Sequence, residues 1–147
     1  MSGQHRAELR IGGRYIVSLA ILVSGLPAFD APSPPAYSDE QARRGQVVYA
    51  ARCQSCHGES QEGGDEAPPL KGKGFWSEWE HGTARALYSR ILSTMPPDSA
   101  GSLVPAEAIA LVECLMKANG LPSGGKIVGN ADELNSLGLG MPGQQSR

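Results

Sequence analysis

The chain has 147 residues, with 19 Gly and 11 Pro against only 2 Trp, 4 Tyr and 2 Phe. That length allows one domain, and 13 basic against 15 acidic residues argue against an electrostatic binder of nucleic acid. Three cysteines are too few for a disulfide scaffold, and a small domain with so few aromatics has a thin core that added apolar bulk would help.

Residues 1–14 carry Arg6, Arg10 and Arg14 against the single acid Glu8, and an uncharged apolar stretch then runs from Tyr15 to Leu26. It is short for a bilayer span, and a basic start before a short apolar run reads as a secretory signal peptide. No good cleavage site follows; the best candidates lie near Ala28 and Ala36, so an uncleaved signal acting as a membrane tether stays open. No cysteine precedes Cys53 to carry a lipid, and no twin-arginine pair is present, which favours the general export route. Ala31-Pro32-Ser33-Pro34-Pro35-Ala36 is a proline-rich spacer. The division expected is therefore 1–36, signal and spacer, and 37–147, one domain.

Within that domain the first helix is predicted from a Ser38 cap to about Arg52. Gln41 stands three residues on, and Asp39 and Glu40 sit where the helix dipole favours anions. Gly45, Val48, Tyr49 and Cys53 fall along one face. Residues 58–82 are rich in glycine and proline and read as irregular loop. A second helix runs from Thr83 to Thr94, with Leu87, Ile91 and either Leu92 or Tyr88 inward, until Pro96-Pro97 stops it. A third opens at Pro105 and ends near Asn119-Gly120, read as a left-handed cap pair, with an apolar arc from Ala108 to Met116. The Gly-rich tail, 121–147, holds Leu134, Leu137 and Leu139, which can pack back as a short helix. The predicted class is all-α, three or four helices about a loop-rich middle.

Cys53-Gln54-Ser55-Cys56-His57 has the spacing Cys-x-x-Cys-His of c-type haem attachment. Two thiols so spaced reach the two vinyl groups on one porphyrin edge, and the histidine that follows is carried beneath the ring onto the iron. With three Cys and three His in the chain, chance would produce this pattern about once in a thousand such sequences. A thioredoxin-type dithiol would need a βαβ context that is not visible. A zinc site would need a fourth ligand from Cys114 or His81, at no familiar spacing.

The ligand on the other face of the iron decides between electron transfer and ligand chemistry, because a thioether fills the coordination sphere and raises the potential. Met1 falls in the signal, Met141 in the tail, and Met116 on the apolar arc of the third helix. Met95 leaves a helix into Met95-Pro96-Pro97, a rigid loop that can hold a sulfur over iron; a plain core methionine and an axial His81 are the alternatives.

These residues resemble the class I c-type cytochromes, and most of all the cytochrome c subunits and domains that serve quinoprotein alcohol dehydrogenases. The landmarks are Gly45-x-x-x-Tyr49, Cys53-x-x-Cys56-His57-Gly58, Ala67-Pro68-Pro69-Leu70, and Phe75 with Trp76 and Trp79. They continue through Leu87-Tyr88, Met95-Pro96, Gly101-Ser102-Leu103 and Asn119-Gly120-Leu121-Pro122 to Gly124. The resemblance implies the cytochrome c fold about one covalent haem c. It also implies a close crossing of the first and third helices at Gly45, and a Pro68 carbonyl that orients His57. Trp76 or Trp79 would meet a haem propionate, or else pack on the porphyrin. Cys114 stands where the family more often has an aromatic, and reads as a small buried hydrophobe, with an intermolecular disulfide the alternative. Ala100 stands where relatives tend to have proline, and Val104 where a hydroxyl would cap the third helix.

The function expected is a periplasmic monohaem carrier of single electrons, not itself an enzyme, free or as a subunit of a dehydrogenase complex, with His57 and Met95 on the iron. The resemblance implies a quinoprotein dehydrogenase as donor and a terminal oxidase or another cytochrome as acceptor. Membrane contact would arise only through an uncleaved signal. The rival is a haem sensor or peroxidase-like protein whose Met95 is displaceable. Asp65, Glu66, Glu78 and Glu80 read as a solvated face.

Overall fold

The computed structural model describes residues 37–142. The predicted signal and spacer, 1–36, and the last five residues of the tail lie outside the described residues. The described residues form five α-helices: α1 (Asp39–Arg52), α2 (Gln54–His57), α3 (Gly72–Trp79), α4 (Ala84–Thr94) and α5 (Pro105–Ala118). Short 3-10 turns add Pro97–Ser99 and Ala131–Ser136. Among the described residues there is no strand, only two isolated bridges, Tyr37 with Ser123 and Thr83 with Gly138. No helix among them is long and apolar enough to cross a membrane. The class is all-α, as expected, with five α-helices among the described residues against the three or four expected.

The seam between α1 and α5 is the largest helix contact among the described residues. Its cause is a missing side chain: a Cβ built on Gly45 would lie 1.9 Å from the Ala110 carbonyl oxygen and 2.8 Å from the Cys114 Cβ. Backbone therefore meets backbone, and only glycine permits it. On α5 every residue from Ala108 to Met116 is buried, so the helix runs through the core instead of lying on it.

The cap of α1 differs from the predicted one in an informative way. Ser38 Oγ does accept from Gln41 N–H, at a long 3.5 Å. Gln41 does not return the bond. Its side chain pairs with the backbone of Val128, Nε2–H to the carbonyl at 2.8 Å and the Val128 N–H to Oε1 at 2.7 Å. The Ser38 N–H goes instead to Glu113 Oε2 of α5, at 2.9 Å. Tertiary partners thus replace half of a local capping box. At Val104 the reverse half survives: its N–H donates to Glu107 Oε2 at 3.1 Å, while valine has no oxygen to offer.

The expected loop at 58–82 is corrected by α3. Gly72 and Gly74 lower its intrinsic helicity and Lys71 makes no side-chain cap, so local sequence does not announce it. Tertiary packing holds it: Phe75 and Trp76 are buried, edge to face at 5.1 Å, and the Gly72 N–H donates to Asn119 Oδ1. On α4, Thr83 Oγ1 caps by accepting from Ala86 N–H, and Tyr88 takes the inward place while Leu92 is half-buried. At the end of α5, Gly120 alone is left-handed (φ 76°); Asn119, predicted as its left-handed partner, has φ −99°. The tail packs back as expected, with Leu134 and Leu139 buried and Leu137 half-buried.

Candidate haem site

The helices leave one side of the core open as a cavity of about 280 Å³. Leu87 and Ile91 of α4 and Leu111 and Leu115 of α5 give it apolar walls. Cys53, Cys56, His57 and Met95 all line it. The loop after α4 therefore brings Met95 to the same space as the attachment motif.

His57 closes the short α2 and is buried. Its Nδ1–H donates to the Pro68 carbonyl at 2.8 Å, the bond the resemblance implied. That bond commits Nδ1 to the protein and leaves Nε2 as the nitrogen free to act as a ligand. The backbone around it is equally engaged. The His57 carbonyl accepts from Gly63 N–H at 2.8 Å, and the Gly58 carbonyl accepts from the Tyr49 hydroxyl at 2.6 Å. Burial, with the Cys53 and Glu62 charges, pushes the Tyr49 phenol up to about 12, so it stays a donor at all ordinary pH.

The two motif cysteines carry no disulfide. Burial pushes the Cys53 thiol up to about 11, the opposite of the lowered value a redox dithiol needs. Among the described residues no group of three His, Cys, Asp or Glu could hold a metal ion, so the zinc alternative finds no ligand set. Two free thiols and a pre-oriented imidazole on an apolar cavity are the donor set of a covalent haem, and the residues fit it.

The remaining site candidates separate. Trp79 lines the cavity and stacks on Phe75 at 6.5 Å, whereas Trp76 is buried against Phe75 and is not among the lining residues. Of the two tryptophans, then, only Trp79 is placed to meet a porphyrin; Trp76 is a core residue. His81 has a side chain 92% exposed beside Glu80, away from the cavity, which removes it as an axial candidate. Met116 is fully buried in α5. Cys114 is buried as expected, with Gln46 Oε1 at 3.4 Å and Gln61 Nε2 at 3.8 Å, a position that also disfavours an intermolecular disulfide.

Several lining residues escaped the sequence reading. Arg52 and Arg90 reach the cavity, and Arg52 also hydrogen-bonds Ser102. Arg90 precedes Ile91 and follows Leu87 by three, so its place beside the apolar stripe was the available signal. Glu66 and Glu78, read as a solvated face, also border the cavity while remaining exposed, and Glu66 Oε2 lies 3.7 Å from Cys56 Sγ.

Comparison with known proteins bears on this geometry. A family model described as cytochrome c oxidase, cbb3-type, subunit III matches residues 40–114, just over half of the chain. The chain belongs to this family. It is a monohaem class I c-type cytochrome, carrying haem c and serving electron transfer. Among solved structures it is similar to the sulfane dehydrogenase SoxCD from Paracoccus pantotrophus, with 24% identity and a TM-score of 0.57. That likeness covers 82% of this chain and 68% of the other, and supports the fold. No curated protein matches.

Proposed function

We propose that this cytochrome is a periplasmic carrier of single electrons whose iron is held between His57 and Met95. The observation that carries this reading is the shared cavity: the oriented imidazole and the Met95 thioether border one apolar space, and among the described residues no second histidine reaches it. When bound, the haem supplies a one-electron iron couple, with the potential set by its axial ligands.

The chain's own residues do the rest. Cys53 and Cys56 would anchor the group by thioethers. Pro68 holds the His57 ring and raises its basicity through the Nδ1–H bond. Leu87, Ile91, Leu111 and Leu115 exclude water from the site, which keeps the charge change unscreened by solvent. Trp79, Arg52 and Arg90 are donors on the cavity wall that could meet a propionate. The N-terminal apolar stretch supports export. The resemblance supports a quinoprotein dehydrogenase as donor, and the oxidase family supports a terminal oxidase or a further cytochrome as acceptor. In this reading the chain makes no bond to a substrate and is not itself an enzyme.

The ferric protein should show the weak near-infrared band of methionine sulfur on iron. Replacing Met95→Ala should abolish the band and lower the reduction potential. A wild-type spectrum without it, together with carbon monoxide binding at neutral pH, would favour the displaceable-ligand reading instead.

A further inference from the structure

The Pro68 carbonyl that orients His57 sits in a loop, and what holds that loop is a side chain from the far end of α5. Asn119, the residue that closes α5, is buried. Its Oδ1 accepts from the Gly72 N–H at 2.9 Å, and its Nδ2 donates to the Leu70 carbonyl at 2.9 Å and to the Leu115 carbonyl at 2.9 Å. From the other side the Leu70 N–H donates to the Gln61 carbonyl at 2.9 Å. Leu70 is thus held at both of its backbone groups, two residues after Pro68. Leu115, whose carbonyl Asn119 also takes, itself lines the cavity.

From these bonds we infer that Asn119 is a positioning residue for the axial histidine, acting through Leu70 and Gly72 on the Pro68 carbonyl. The inference rests on His57 being the iron ligand. A planar amide is suited to the task because it offers one acceptor and two donors in a fixed arrangement, and here all three are engaged. The consequence for the iron follows from the direction of the His57 bond. An imidazole whose Nδ1–H is held by a carbonyl is a stronger donor through its other nitrogen, and a stronger donor favours ferric iron. Loosening the loop weakens that bond and shifts the balance toward the ferrous state.

The test compares the full-length holoprotein with Asn119→Ala and, as a control of similar stability loss, Leu134→Ala. Leu134 is fully buried under α4 but does not line the cavity. In Asn119→Ala the ferric-to-ferrous ratio at a fixed applied potential should fall about three-fold, roughly half the net worth of one hydrogen bond. Exchange of the His57 Nδ1 proton, followed by NMR, should accelerate about ten-fold, the same order as losing one such bond. Leu134→Ala should lower the melting temperature and leave both readouts in place. Should Asn119→Ala not fold, Asn119→Asp keeps the acceptor for Gly72 and loses the donor to Leu70, and the proton-exchange readout still applies. Wild-type exchange and potential in the Asn119 variants, or equal changes in Leu134→Ala, would overturn the inference. A wild-type protein whose spectrum lacks an imidazole-ligated haem would overturn the haem-ligand reading instead, so the two failures are distinct.

Discussion

The two faces of α5 are built on opposite terms. Toward α1 the helix is packed to backbone contact, with no space for a single methyl at Gly45. Toward α4 its Leu111 and Leu115 look onto an open cavity of about 280 Å³. One side is complete in protein alone; the other is shaped for a group the chain must acquire. The first face therefore sets the scaffold, and the second takes its final packing from the porphyrin, which explains how so few aromatics suffice.

The sharpest way to break the contrast is at the seam. Gly45→Val would drive side-chain carbons into the Ala110 carbonyl, and the helices would have to part. A cost above about 3 kcal/mol is expected, read as loss of a cooperative thermal transition in both apo- and holoprotein. A deletion on the cavity side, by contrast, should cost the apoprotein much less than the holoprotein.

A smaller effect comes from a polar group inside the seam. Glu113 is fully buried, and its Oε1 has no partner among the described residues. Burial pushes its carboxyl up to about 7, against the opposing pull of the Ser38 N–H and the Arg44 charge. The fold therefore binds a proton more tightly than the unfolded chain does. Its stabilising contribution is complete below the unfolded value near 4.5 and is lost as pH rises through about 7. Glu113→Gln should flatten that decline and leave the protein more stable than wild type above pH 7, by up to about 3 kcal/mol. Denaturant melts at pH 5 and pH 8 measure it; an unchanged slope would show that the carboxyl does not titrate in this window.

The smallest effect tests the cavity side. Tyr49→Phe keeps the ring on the cavity and removes the donor to the Gly58 carbonyl. A loss of about 1 kcal/mol is expected, visible as a lowered denaturation midpoint with the fold unchanged by circular dichroism.

How much of this was readable from the residues depends on how far apart the interacting groups lie. The ends of α1 and α4 were legible because Ser38 and Thr83 cap within their own first turn. The missing side-chain cap of α5 was legible, because Val104 has no hydroxyl to accept a bond, whereas the bond from the Val104 N–H to Glu107 was not read. Helix α3 was not legible, since two glycines mask it locally and Asn119, forty-seven residues after Gly72, satisfies its first N–H. The choice between Trp76 and Trp79 was undecidable on the same ground. Both sit on one short helix, and only its rotation against Phe75 and the core sends one of them to the cavity.

By itself, the sequence determined the chemistry: the Cys-x-x-Cys-His spacing needs nothing beyond one turn of chain to present two thiols and an imidazole together. It also set the all-α class, because helical period and capping residues act over three or four positions. Only the tertiary structure decided which residues meet that motif. Pro68, Trp79, Met95 and Arg90 converge on the cavity, His81 and Trp76 do not, and Asn119 ties the loop behind the histidine from the end of α5. The physical reason is that such meetings depend on how whole helices pack, and the pivot of that packing is the bare backbone contact at Gly45.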